Sequence, residues 1–137
     1  MSIRYTFSKN AMKAKVNFIT LAVKDLSASK SFYEQAFQFP VGEVSEDLCL
    51  FTLEDDFYLT LQQTDTHLPQ ANAQDTMVNS AGFIISHNAS YREEVEEIVT
   101  QAELHGAKRV STLLEEWGYA ITITDLDGHH WEIVYTE

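Results

Sequence analysis

One plan, a strand followed by a helix and three short strands, occurs twice along the 137 residues, at an offset of roughly 62 positions. A repeat of half the chain length constrains the fold more than any other feature. Each copy is too small to bury its own apolar face and must cover it with the other. The first copy opens with Val16–Val23, where Ile19, Leu21 and Val23 alternate with Phe18, Thr20 and Ala22. That period of two belongs to a half-buried strand. The second copy opens with Ser80–Ser86, where Ala81, Phe83 and Ile85 alternate with Ser80, Gly82 and Ile84.

Each opening strand leads into a helix. Asp25-Leu26 turns the chain, and Ser27 is the expected N-cap of helix one. Ala28, Phe32 and Ala36 then recur at helical spacing, with Tyr33 and Phe37 beside them, until Pro40 stops the helix. Three strands follow, near 41–45, 48–53 and 57–63, divided by the acidic turns Glu46-Asp47 and Glu54-Asp55-Asp56. In the second copy Ser90 is the expected N-cap, with Glu93 completing a capping box. Tyr91, Val95, Ile98 and Ala102 make the apolar stripe, Glu93, Glu94, Glu96 and Glu97 face water, and Gly106 ends the helix. Strands are expected near 107–111, 118–124 and 129–135. The domain reading is therefore an N-terminal arm or disordered leader over 1–15, then one domain over 16–137. That domain comprises module one at 16–63, a linker with Pro69 at 64–77, and module two at 78–137.

The formal net charge is −12, and four of the nine basic residues, Arg4, Lys9, Lys13 and Lys15, lie in the first fifteen. The remaining chain carries five basic against 21 acidic residues. Such a body repels anions, so a nucleic-acid partner is not expected. There is no run of about 18 apolar residues, so no membrane span is expected either. The N-terminus lacks the apolar core of a signal peptide. The lone Cys49 excludes an internal disulfide and reads as a buried small hydrophobe in L-C-L-F. Together these features favour a cytoplasmic protein.

The most informative stretch is Trp117–Tyr135. Tyr119, Ile121 and Ile123 alternate with Ala120, Thr122 and Thr124 along one strand. Asp125-Leu126-Asp127-Gly128 turns the chain, and the return strand puts Trp131, Ile133 and Tyr135 opposite His130, Glu132 and Val134. Glu132 stands out, because a carboxylate within an apolar strand costs free energy unless it is paired, ligated or open to water.

The arrangement W-G, then D-L-D-G-H, then W-E-I resembles the vicinal oxygen chelate superfamily, which includes glyoxalase I, extradiol dioxygenases, fosfomycin-resistance enzymes and bleomycin-binding proteins. The opening V-N-F-I-T-L-A-V-K-D-L-S-A-S-K-S-F-Y resembles that family's first strand and helix, and the likeness covers residues 16–135. It implies an α+β fold, the glyoxalase/bleomycin-resistance/dioxygenase fold. Two βαβββ modules in one chain form a curled mixed sheet around a cleft. Ile19, Leu21, Val23, Phe83, Ile85, Trp131 and Ile133 are then expected under the helices. Phe18, Thr20, Tyr58, Thr60, Ser80, Gly82, His130 and Glu132 are expected to face the cleft, with Trp117 at its rim.

The same resemblance implies a divalent ion held by up to four side chains, one from each of four strands. Here the matching positions carry Phe18, Tyr58 or Thr60, Ser80 and Glu132, and only Glu132 is a usual ligand. His129 and His130 are adjacent and point to opposite faces. His130 shares a face with Glu132, and His129 reads as a hairpin hydrogen-bonder. His67 lies in the linker, His87 on the wrong face of its strand, and His105 at a helix C-terminus. No metal ligand set is therefore expected, and no cofactor. The expected function is binding of a small, neutral or cationic, partly aromatic molecule in the cleft by a homodimeric protein, as in the bleomycin-binding branch. The alternative is an enzyme of lyase or dioxygenase type. It would hold Zn, Ni, Mn or Fe on non-standard ligands, or use Glu132 as a metal-free general base.

Overall fold

The computed structural model describes residues 12–64 and 82–137. The arm over most of 1–15, nearly all of the linker, Ser80 and Ala81 lie outside them. In chain order the elements are β1 (Phe18–Val23), α1 (Leu26–Ala36), β2 (Val41–Val44), β3 (Leu48–Thr52), β4 (Tyr58–Gln63), β5 (Ile85–Asn88), α2 (Arg92–Leu104), β6 (Lys108–Glu115), β7 (Gly118–Thr124) and β8 (His130–Thr136). The two four-stranded sheets share one topology, β1-β4-β3-β2 and β5-β8-β7-β6. In each, the opening strand pairs in parallel with the last strand of its module, and the other pairings are antiparallel. The first hairpin of each sheet carries a register shift, at Val41/Glu43 and at Arg109/Ser111, so the repeat extends to its irregularities.

One apolar cluster joins both modules. Leu21, Val23, Cys49, Phe51, Leu59 and Leu61 from the first sheet pack with Ile121, Ile123, Trp131 and Ile133 from the second. The helices supply Phe32, Tyr33, Val95, Val99 and Ala102. Period-two alternation puts these residues on one face of each sheet and leaves the other face free for a site.

Several local expectations are corrected. Asp25, not Ser27, caps α1, with its carboxylate accepting from the Ala28 amide at 3.1 Å. Leu26 therefore starts the helix rather than turning the chain, and it is Ser29, not Ala28, that turns inward. Tyr91, not Ser90, is the N-cap of α2 and makes no side-chain cap. Glu94, not Glu93, reaches back to the Ser90 amide, at 2.7 Å. The buried stripe of α2 is Val95, Val99 and Ala102, while Ile98 is half-buried and Tyr91 is exposed. Phe83 is exposed rather than packed, because the β5–β8 ladder begins only at Ile85 opposite Trp131 and Phe83 precedes it. β6 runs to Glu115, beyond the expected 111, although all eight of its residues are exposed. Backbone pairing with β7 carries that strand, which alternation of apolar residues could not reveal.

The modules are tied by the β7–β8 turn. Asp125 is buried; one oxygen accepts from the amides of Asp127 and His129, both at 2.9 Å, and the other from the Tyr33 hydroxyl at 2.5 Å. Trp131 Nε1 donates to the Tyr33 oxygen at 3.0 Å. Asp127 accepts from the Lys24 amide and the Ser29 hydroxyl, each at 3.0 Å. The aspartates and glycine that announce a hairpin thus also form the joint between the two halves. Gly128, with φ at 89°, closes that turn in a conformation side chains disfavour.

Candidate functional site

The face of each sheet turned away from the helices carries the candidate residues. In the first sheet the parallel register sets Phe18 beside Tyr58 and Thr20 beside Thr60. These four share a face by alternation. Phe18 is 57% exposed, far too open for a core residue, while Thr60 is buried beneath its neighbours. In the second sheet Glu132 lies between Ser86 on β5 and Thr122 on β7, and His130 lies beside Thr124. The structure therefore gathers the candidates into two groups, one per sheet. No hydrogen bond or ion pair joins the two groups among the described residues.

Glu132 accepts a hydrogen bond from the Ser86 hydroxyl at 3.1 Å. Ser86 is the residue that sequence reasoning missed. Its signal was present, since two residues along a strand return to one face. His130 Nδ1 is buried without a hydrogen-bond partner among the described residues. His129 turns to the other face, where its Nε2 lies 2.8 Å from the Ala22 carbonyl oxygen. A carbonyl only accepts, so this nitrogen carries the proton. The expected hairpin hydrogen bond of His129 is present through its amide, and the ring adds a link to module one.

Trp117 stands apart. It sits in the two-residue turn between β6 and β7, 51% exposed. Thr122, the cross-strand neighbour of Glu132, lies five residues further along β7. At about 3.3 Å per residue that is roughly 16 Å along the strand, which sets Trp117 well away from Glu132. His87 pairs with Ile133, on the helix side of its sheet as expected, and His105 is the C-cap of α2.

The residues present do not fit the metal that the fold family implies. Phe18 offers no donor, Tyr58 and Thr60 are hydroxyls, and Glu132 is held by Ser86. No three of His, Cys, Asp and Glu are grouped to hold an ion among the described residues. A zinc-type catalytic centre needs three protein ligands.

Solved structures share the architecture. A glyoxalase-related enzyme from Fulvimarina pelagi is 22% identical over 90% of this chain and 88% of its own, with a TM-score of 0.71. A genomically encoded fosfomycin resistance protein from Listeria monocytogenes, complexed with Mn(II) and sulfate, is 20% identical over 92% and 93%, with a TM-score of 0.69. A glyoxalase/bleomycin resistance protein/dioxygenase family enzyme from Burkholderia phytofirmans is 17% identical over 90% and 100%, also at 0.69. No curated protein matches the chain. At such identities the likeness speaks for the fold alone. The sequence speaks for the family: residues 15–133 match it from the first strand into β8, and the chain belongs to the Glyoxalase/Bleomycin resistance protein/Dioxygenase superfamily.

Proposed function

We propose that the protein binds a small, neutral or cationic, partly aromatic molecule in its cleft, without a catalytic metal. The observation that carries this reading is Phe18, a phenyl group exposed beside Tyr58 where the family's first metal ligand is expected. Two aromatic side chains there offer stacking surface. Glu132 on the second sheet and the net charge of −12 favour a cation over an anion. Titration calorimetry with cationic and anionic aromatic probes is the test. Cationic probes should bind saturably, and Glu132→Ala or Phe18→Ala should weaken them by about tenfold. Fosfomycin and glutathione conjugates, both anionic, should bind poorly. Micromolar binding of either, lost on Glu132→Ala, would overturn the reading.

Metal analysis addresses the same point. Purified protein should hold well under one divalent ion per chain, and a chelator should leave its melting temperature unchanged. Phe18→His alone should not create tight binding, since one imidazole and Glu132 are too few. The alternative, an enzyme with Glu132 as general base or with non-standard ligands, draws on two observations. Among the described residues Glu132 accepts one hydrogen bond, from Ser86, and the buried Nδ1 of His130, on the same face, has no partner. Stoichiometric Zn, Ni, Mn or Fe bound through Glu132 would put that reading first.

We also propose a homodimer. Val44, Val110, Leu113 and Leu114, on edge strands β2 and β6, are exposed, and a two-fold partner can cover such edges. Light scattering should give twice 15.6 kDa at micromolar concentration, and a value of 15.6 kDa would remove the idea.

A further inference from the structure

A cavity of about 270 Å³ opens between the end of α1 and the flank of α2, on the far side of β8 from Glu132. Trp131 and Ile133 line it, and both alternate with Glu132 along the strand. Its wall is aromatic. The Phe37 ring stands 4.9 Å from that of Trp131 and 5.5 Å from that of Phe39, centroid to centroid. Its rim is acidic. Glu94 and Glu97 lie on the same side of α2, and the lining residues include no lysine or arginine. His87 is the one lining group able to gain a positive charge.

The cations of the two helices, and Arg109 of β6, are already paired. Arg109 holds Glu96 and Glu103, Arg92 holds Glu137, and Lys30 holds Glu34. Among the described residues Glu94 and Glu97 have no ion partner, yet both are fixed in place. Glu94 accepts from the Ser90 amide at 2.7 Å and Glu97 from the Tyr91 hydroxyl at 3.0 Å. Gln101 spans the gap toward α1, with its amide nitrogen 3.5 Å from the Gln35 carbonyl.

We infer that this cavity is a second binding site, for a small organic cation with a ring-bearing or compact apolar body. The aromatic wall takes the body, and its ring faces attract positive charge. The two carboxylates, uncompensated and pre-positioned, take the cationic head. An anion would meet both carboxylates and the field of a chain with net charge −12. The volume suits a single substituted ring rather than a peptide. The site rests on residues distinct from Phe18 and Glu132, so it does not depend on the cleft.

Benzyltrimethylammonium is the probe, followed by NMR shifts of backbone amides, with benzyl alcohol and phenylacetate as neutral and anionic comparators. The cation should bind saturably and at least about tenfold more tightly than either comparator. Glu94→Gln with Glu97→Gln should weaken it by about tenfold, since glutamine keeps one acceptor oxygen at each position and removes the charge. Gln101→Lys, which adds a cation at the mouth, should do the same. Glu132→Ala and Phe18→Ala should leave the shifts on α2 unchanged, even where they alter binding in the cleft. Circular dichroism of each variant checks that it is folded. The inference falls if the wild-type protein shows no saturable shifts on α1 or α2. It falls equally if the double glutamine variant binds like wild type, or if Glu132→Ala abolishes the shifts while the glutamine variant keeps them.

Discussion

Asp125→Ala is expected to cost about 3 kcal/mol or more of folding stability, read from the midpoint of urea unfolding. The side chain is 5% exposed and accepts three hydrogen bonds: from the Tyr33 hydroxyl and from the amides of Asp127 and His129. Alanine leaves those donors without their acceptor in a site with little water, and each buried unsatisfied group costs about 1–3 kcal/mol. The loss falls where the two modules join, so both should unfold together. Asp125→Asn keeps one acceptor oxygen and should cost less. A loss under about 1 kcal/mol in Asp125→Ala would mean that packing, not this turn, holds the halves together.

The same contact has a signature in alkali. Burial pushes the Tyr33 hydroxyl well above its ordinary value of 10.0, and the neighbouring Asp125 charge raises it further. Folded Tyr33 stays neutral while the unfolded chain ionises. Its contribution is therefore fully present below pH 10.0 and is lost as pH rises beyond that value. Tyr33→Phe should flatten the decline in stability above pH 10.0 relative to wild type.

Trp131→Ala should be as damaging, at about 3–5 kcal/mol. Trp131 is 4% exposed and touches the rings of Tyr33, Phe37 and Phe39 at centroid distances of 5.8, 4.9 and 6.1 Å. Its Nε1 also donates to Tyr33. Trp131→Phe retains most of the ring contact and loses the donor, so about 1–2 kcal/mol is expected. Trp117→Ala is the internal comparison. That residue is 51% exposed in a hairpin turn and should change stability by less than about 0.5 kcal/mol. Comparable losses at the two tryptophans would contradict the burial that separates them.

Both positions show why some of the site was legible and some was not. Trp131 could be placed on the helix side by counting twos along β8, and Glu132 on the other side by the same count. The partner of Glu132 could not be read, because Ser86 is 46 residues away and reaches it only through the parallel register of β5 on β8. Phe83 satisfied the alternation and still lies outside the core, because a strand must be paired before its pattern means anything. Ser27 and Ser90 are good capping residues in isolation. Asp25 and Tyr91 hold those positions instead, each in extended backbone just ahead of its helix.

The sequence by itself determined the repeat, the order of the elements, the two faces of each strand and the Asp125–Gly128 turn. All of these are local, carried by side-chain period, turn chemistry and residue type within a few positions. Only the tertiary structure decided that Tyr33 and Asp125, 92 residues apart, close the joint between modules, and that His129 reaches Ala22 across 107. It alone opened the aromatic cavity between the helices, lined by two carboxylates that have no ion partner among the described residues. Hydrogen-bond partners and empty space depend on how distant surfaces meet, and no period along a chain records that.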